Sequence, residues 1–277
     1  METCASSCAA YGRVCPCAAR AAGRAACQAA DTLYANDSKI FCTRPKFEQI
    51  DENDLMIQEK LGEGGFSVVH HVVLLNNRTT GGEQASGKHL AIKHLKRKIM
   101  VNQHTFELGA ADLAVEANFL EKLNHPNIVK LHGVTAGSVE TNVASGKECG
   151  FFILVDFLTE TLETRIKRWN ETTDHGNVLS RMSRDFKEKR RRALMDRLSM
   201  AAQLVDAMIY LHSKNIVYRD LKPDNIGFAV DGTLKLFGTC GIHHPACHDV
   251  IQNSHLHFLR RLWFGQGTQT KALGWIL

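Results

Sequence analysis

Between Leu55 and Asn77 the chain reads LMIQEKLGEGGFSVVHHVVLLNN, apolar at Leu55 and Ile57 and again from Val68 to Leu75, with glycines between. Alternation on both sides of a glycine-rich turn predicts two strands of a hairpin. A hairpin argues against a dinucleotide fold, where the strand would enter a helix directly. The polar stretch NNRTTGGEQASGKH then predicts an exposed loop. HLAIKHL resumes the strand pattern, and period two puts Ala91 and Lys93 on one face. Leu113, Ala117, Leu120 and Leu123 follow helical spacing, which predicts a helix over Ala111 to Leu123 that stops before Pro126. GFFILVDFL, Gly150 to Leu158, reads as a continuous buried strand, and the polar TETLETRIKRW follows it. Leu194, Leu198, Ala202, Val205 and Ile209 mark a long amphipathic helix ending near His212. The order is a small sheet with one helix, a connector, then helices: an α+β chain.

With 277 residues and 44% hydrophobic content, the chain can bury one large core or two smaller ones. Its formal charge of +5 is local. Arg181, Arg184, Lys187, Lys189, Arg190, Arg191 and Arg192 carry much of it. Such a run reads as a solvated loop or helix face, and it lacks the interleaved aromatics of a nucleic-acid surface. No apolar stretch is long enough to span a bilayer. The chain has nine cysteines, six of them crowded between Cys4 and Cys42. This odd set is unlike a secreted disulfide framework. Reduced thiols in a cytosol are the expectation, with organelle targeting by the acid-poor opening segment as the alternative. The Ala, Cys and Arg-rich residues 1–45 are expected to be disordered. Cys4, Cys8, Cys15 and Cys17 lack the paired spacing of a zinc site, and Cys240, His243, His244, Cys247 and His248 lack a second spaced pair.

Three features carry chemistry. Gly62, Gly64 and Gly65 can bring backbone amides close to a phosphate chain, although an ordinary hairpin turn needs glycines too. Lys93 lies in an apolar strand, where a buried ammonium needs an anionic partner unless it snorkels to the surface. Glu116 flanks the apolar stripe of its helix, where it either faces Lys93 or is an ordinary solvated helix residue. The third is YRDLKPDN, Tyr218 to Asn225, where carboxylate, cationic and amide side chains crowd together.

Taken in order, these segments resemble the eukaryotic protein kinases of the serine/threonine type. Gly62, Gly64 and Val69 match the glycine-rich loop, with Ser67 in place of its third glycine; Lys93 in AIK matches the phosphate-holding lysine, and Glu116, before HPNIV, matches its helix partner. The resemblance covers about Leu55 to Phe237. It implies a kinase-like fold, a small antiparallel-sheet N-lobe with one helix (about 46–158) and an incomplete helical C-lobe (159–237), using ATP and Mg²⁺ on a protein substrate. Asp220 would orient the attacking hydroxyl, Lys222 would stabilise charge on the transferring phosphoryl group, and Asn225 would offer Mg²⁺ a neutral oxygen. Leu61, Val69 and Ala91 would pack on adenine, with Val155 behind, and the backbone around Asp156 to Leu158 would hydrogen-bond it. Tyr218 stands where histidine is usual, and Arg219 would pair with a phosphorylated activation loop.

The resemblance breaks at Gly238. The family strand after the catalytic loop ends in Asp-Phe-Gly, whose aspartate binds the metal, but ungapped counting from Asn225 reaches Gly238, Thr239 and Cys240. Asp231 and Asp249 do not fit the spacing. Residues 238–277 also lack an Ala-Pro-Glu motif, so an atypical tail replacing a kinase ending is expected. A nucleotide-binding or interaction module without catalysis is the alternative reading.

Overall fold

The computed structural model describes residues 14–35, 41, 43–75, 87–145, 149–173, 184–238 and 242–243. It contains two compact units, Met1–Asn124 with Lys130–Phe157, and His125–Val129 with Leu158–Leu277. The fold is α+β, as the hydrophobic pattern predicts.

The first unit contains α1 (Pro16–Ala35), β1 (Gln49–Ile50), β2 (Leu55–Glu63), β3 (Ser67–Leu74), β4 (Lys88–Leu95), α2 (Arg97–Met100), α3 (Gln103–Lys122), β5 (Leu131–Thr135), α4 (Val139–Ala144) and β6 (Phe152–Asp156). Its six strands run in the order β1-β5-β6-β4-β3-β2. Neighbours are antiparallel except β1 and β5, a parallel pair too short to read from sequence. The polar loop predicted between β3 and β4 lies for the most part outside the described residues. Val72, Leu90, Ile92, Phe152 and Leu154 project from one face of the sheet and are buried under Ile50, Leu55 and Cys149. Burying each such side chain contributes roughly 2 kcal/mol.

Helix α3 starts earlier than its stripe predicts. Asn102 caps it, its Oδ1 accepting from the Thr105 amide at 3.0 Å, as asparagine does well at a helix start. Phe106 and Ala110 extend the buried side. Gly109 lies where a Cβ would come within 2.8 Å of Ile99 Cδ1 and 3.2 Å of Phe66 Cβ. Glycine there reflects close approach and not a break in the helix.

The expectation of disorder over residues 1–45 fails at Pro16–Ala35, which is helix α1. Alanine has the highest helix propensity, and its short side chain lets two helices approach closely. Ala18, Ala19, Ala22, Ala26, Ala29 and Leu33 are buried, and α1 packs mainly against α3. Tyr34 donates its hydroxyl hydrogen to Asn118 Oδ1 at 2.9 Å. Phe41 makes edge contacts with Tyr34 and Phe119, ring centroids 5.5 and 5.0 Å apart. Composition alone has no means of registering this partner surface. Residues 1–13, 36–40 and 42 of the same segment lie outside the described residues. The expectation of reduced thiols also meets a difference, because Cys15 and Cys17 form a disulfide with Cα atoms 5.3 Å apart. That spacing is ordinary for a bridged pair.

The second unit contains β7 (Glu160–Thr161), α5 (Leu162–Thr173), α6 (Arg184–Ser213), β8 (Val217–Tyr218), β9 (Ile226–Phe228), β10 (Leu234–Leu236) and β11 (Ile242–His243). Strands order as β10-β9-β7, and β8 pairs with β11. The basic residues Lys187 to Arg192 are exposed on the opening turns of α6. The long helix is where its sequence pattern puts it, but the packed stripe is another one. Leu204, Ala207 and Leu211 are buried, whereas Leu194 (48%), Leu198 (43%), Val205 (41%) and Ile209 (61%) stay exposed. The helix carries two apolar stripes, and the described strands beside it, chiefly β10 and β8, meet one of them.

Helix α6 ends on Asn215, whose φ is 57°. Asparagine adopts this left-handed conformation more readily than most residues. The Ile216 amide returns to Leu211 O at 2.9 Å, closing the helix and turning the chain into β8.

Replacing Tyr34 by Phe should cost about 1 kcal/mol, because the buried Asn118 oxygen loses its donor. Burial pushes the Tyr34 hydroxyl up to about 12 from 10.0. Folding therefore favours its protonated form. This contribution is complete below pH about 10 and lost as pH rises through about 12. Urea unfolding of the wild type and Tyr34→Phe at neutral and alkaline pH checks both: the gap between them should shrink at alkaline pH.

Candidate active site

Strand register gathers the predicted nucleotide residues of the first unit onto one sheet face. Gly62 pairs with Val69, Val69 with Lys93, and Lys93 with Ile153; on the same face Ala91 pairs with Val155. Directly paired residues share a face, so Gly62, Val69, Ala91, Lys93 and Val155 form one contiguous patch. Ala91 is buried, and Val69 and Val155 are half-buried. Within this patch the Lys93 ammonium makes an ion pair with Glu116 of α3. The Lys93 side chain is 20% exposed and that of Glu116 8%. Leaving either alone would strand a charge in a poorly solvated place, so the pair holds α3 to the sheet.

The turn between β2 and β3 is closed by the Gly64 amide donating to Ser67 O at 2.8 Å. A Cβ on Gly62 or Gly65 would meet nothing within 4 Å, so a ligand has room to approach the backbone there. Leu61, at the start of the turn, is 41% exposed. The Asp156 carboxylate is occupied locally, accepting from His132 Nε2 at 2.7 Å and the Lys130 amide at 3.0 Å. Leu158 belongs to the second unit and packs close to Gly227, where a Cβ would come within 2.7 Å of its Cδ1. Sequence reading missed the aromatic group beside Ala91, in which His71 stacks on Phe157 at 4.3 Å and contacts His89 Nδ1 at 2.8 Å. Its one legible signal is the period-two spacing of His71 from Val69.

In the second unit, the turn at Pro223–Asn225 brings three predicted residues together. Asn225 Nδ2 donates to both the backbone O and Oδ2 of Asp220, each at 2.8 Å. Lys222 Nζ lies 2.7 Å from the same Oδ2. One carboxylate is thus oriented by an amide and an ammonium, the arrangement a positioned base needs. The neighbouring acids are paired as well. A hydrogen bond that Asp224 donates to Glu163, and partial burial, push Asp224 above the usual carboxylate range, while Lys167, then Asp224, hold Glu163 below it. Burial pushes the Arg219 guanidinium down from its ordinary value.

Buried Asn127, within HPNIV, braces this region. Its Nδ2 donates to Gln203 Oε1 at 3.0 Å and Leu234 O at 2.9 Å, and Gln203 Oε1 also accepts from the Leu234 amide at 3.0 Å. The Phe237 amide donates to Asn225 O at 3.0 Å, and the Tyr218 hydroxyl donates to Phe237 O at 2.5 Å. Tyr218 therefore anchors the end of β10. At Gly238 φ is +80°, and a Cβ there would lie 3.0 Å from Asn225 Oδ1. A side chain at position 238 would point at the amide oxygen assigned to metal binding, and glycine supplies none.

Among the described residues no three His, Cys, Asp or Glu side chains are placed to hold a metal ion. Cys4, Cys8, Cys240, His244, Cys247 and His248 lie outside them. No described helix is long and apolar enough to cross a membrane.

The protein kinase domain family matches residues 55–251, running on past Gly238. The chain is 27% identical to "Tyrosine-protein kinase Abl" of Drosophila melanogaster over 69% of its length and 9% of that protein's. It is 24% identical to "Aurora kinase" of Saccharomyces cerevisiae over 73% of its length and 44% of the relative. With "Probable serine/threonine-protein kinase fhkE" of Dictyostelium discoideum identity is 29%, over 63% of this chain and 19% of the relative. The chain belongs to the protein kinase family. It spans less than half the length of these curated relatives.

Glu116→Ala should lower stability by about 3 kcal/mol, because it leaves the Lys93 ammonium without the carboxylate of α3. The double variant Glu116→Ala with Lys93→Met should recover much of that loss. Denaturant unfolding of the two variants and the wild type reads the difference.

Proposed function

We propose that this chain is an ATP-dependent serine/threonine protein kinase, with its kinase domain over residues 46–237 and an atypical segment at 238–277. The observation that carries the reading is the Asp220, Lys222 and Asn225 constellation. Asp220, held by Asn225, accepts or orients the proton of the attacking protein hydroxyl. Lys222 places an ammonium where negative charge builds on the transferring phosphoryl group. Lys93, fixed by Glu116, pairs with the α- and β-phosphates, the Gly62 to Gly65 turn offers amides to the phosphate chain, and Leu61, Val69 and Ala91 supply the apolar surface for adenine. The Asp156 and Leu158 backbone groups are the hydrogen-bonding partners assigned to the base. Bound Mg²⁺ would supply charge neutralisation, and Asn225 Oδ1 is the oxygen assigned to hold it. The lysine at position 222 favours serine and threonine as acceptors over tyrosine, and fhkE among the relatives bears a serine/threonine kinase name.

A second reading rests on Gly238. Without a carboxylate at that position, the chain would bind nucleotide through Lys93 and turn it over little or not at all.

Transfer of radiolabelled phosphate from ATP to a generic basic protein, by the full chain beside Asp220→Asn, separates the two. Under the first reading the substitution lowers the rate by about 100-fold or more. Equal background from both chains, together with saturable ATP binding that Lys93→Met abolishes, would leave the second.

Gly238→Asp offers a further check. Aspartate tolerates positive φ better than most residues, and its carboxylate would stand beside Asn225 Oδ1. Under the metal assignment the substitution should tighten Mg²⁺-dependent nucleotide binding by about tenfold, the scale of one added charged ligand contact. Titration with a fluorescent ATP analogue, with Mg²⁺ and with EDTA, measures it, and an unchanged Mg²⁺ dependence would remove Asn225 from the metal assignment.

A further inference from the structure

The sheet face opposite Lys93 holds a second, separate group of polar residues. Lys60 pairs with His70, and both Glu63 and His94 pair with Val68, so these side chains share that face at its glycine-turn end. A cavity of about 480 Å³ opens there. Among the described residues its polar lining is Lys60, His70, His94, Lys96, Arg97 and Lys98, against one acid, Glu63.

The charges do not balance. Three ammonium groups converge on Glu63: Lys60 in a close ion pair, Lys96 Nζ at 2.6 Å and Lys98 Nζ at 3.7 Å. Hydrogen bonds from Lys60 first and Lys96 second hold the Glu63 carboxyl down at about 2. The Lys96 side chain is only 11% exposed. Water therefore screens its charge poorly. With Arg97 on the same wall, four cationic side chains line the cavity beside one described carboxylate. Like charges held this close repel, and a second anion relieves the repulsion. The histidines form a rigid wall. His94 Nδ1 donates to Leu95 O at 3.2 Å, its Nε2 lies 3.2 Å from His70 Nδ1, and the two rings stack.

The surroundings indicate what carries the anion. Strand β2 ends the six-stranded sheet, and one side of its backbone has no strand partner among the described residues. Such an edge is a template for pairing with another extended chain. On it Ile57 (36%), which lines the cavity, and Met56 (48%) are exposed. A basic pocket joined to an apolar sheet edge suits an extended peptide. A small phosphorylated metabolite would leave that apolar edge uncovered. We propose that this face binds a phosphorylated side chain on a polypeptide, with the phosphate among Lys60, Lys96, Arg97 and Lys98 and flanking apolar residues on β2. The phosphate competes with Glu63, which stands between Gly62 and Gly64, so occupancy bears on the glycine-rich turn. Binding at this face does not depend on the catalytic reading.

The test is fluorescence anisotropy on the full chain without nucleotide, using a fluorescein-labelled degenerate peptide library with one fixed phosphothreonine flanked by leucines, and its unphosphorylated twin. The phosphorylated library should bind saturably, and the twin at least about tenfold more weakly, the scale of one charge-assisted contact. Lys96→Gln should weaken the phosphorylated library. Because Lys96 is nearly buried, the exposed pair Arg97→Ala with Lys98→Glu serves as the fold-neutral variant and should have the same effect. Equal binding of the twin, or unchanged affinity in the exposed double variant, would overturn the proposal. Free phosphothreonine competing as strongly as the phosphorylated library would also overturn it, in favour of a small-molecule anion site.

Discussion

The ion pair between Lys93 and Glu116 is the constraint on which the first unit depends. An ammonium in an apolar strand is costly unless a carboxylate meets it, and that carboxylate is carried by a helix remote in sequence. The pair therefore fixes the helix as much as it fixes the lysine. Helix α3 is held from its other sides as well. Gly109 allows Ile99 and Phe66 to close on it, and α1 covers it with a row of alanines ending in the Tyr34 to Asn118 hydrogen bond. A charge pair that must remain in register is thus backed by packing on both the sheet side and the α1 side.

The second unit applies the same logic, adding neutral amides to a charged pair. Asn225 donates twice to Asp220, and its own backbone oxygen accepts from Phe237, so the catalytic-loop turn and the end of β10 are tied together. Asn127 and Gln203 complete the bracing by satisfying buried backbone groups of Leu234. A buried polar network of this kind is stable only when every member is paired, which makes the position of each residue specific. Gly238 sits beside this network without a side chain to join it. Its positive φ is one that glycine adopts without strain, and the backbone there stays close to the Asn225 amide.

The two faces of the three-stranded region β2 to β4 differ in a way that follows from strand periodicity. Odd-numbered positions such as Val69, Ala91 and Lys93 build the patch next to Glu116, and the alternate positions His70 and His94 face the opposite side with Lys60. One short stretch of sequence therefore serves two chemistries. Glu63 and Gly62, adjacent in the chain, belong to different faces of the same turn.

Much of the fold is legible in the chain. Alternation at Leu55 and Ile57, the glycine turn, the strand carrying Lys93 and the apolar run before Asp156 all reappear as strands, because a strand shows its period within a few residues. The family is legible too, in the order and spacing of the glycine turn, Lys93, Glu116 and the YRDLKPDN segment. Three things are not. Helix α1 reads as low-complexity alanine, since a helix of small residues shows its burial only beside the surface it packs on. In α6 the pattern marks Leu194, Leu198 and Val205, whereas Leu204, Ala207 and Leu211 are buried; a helix with two apolar stripes leaves the choice to its neighbours. The cation cavity is hidden because Lys60, His94 and Lys98 are separated in sequence and meet through strand register. Local sequence, then, determined most of the strands and helices and the family to which the chain belongs, because backbone propensity and hydrophobic period are local properties. Tertiary structure alone decided which face each helix buries, which charges share a carboxylate and that position 238 points at Asn225, because those depend on distances between segments that the order of residues does not contain.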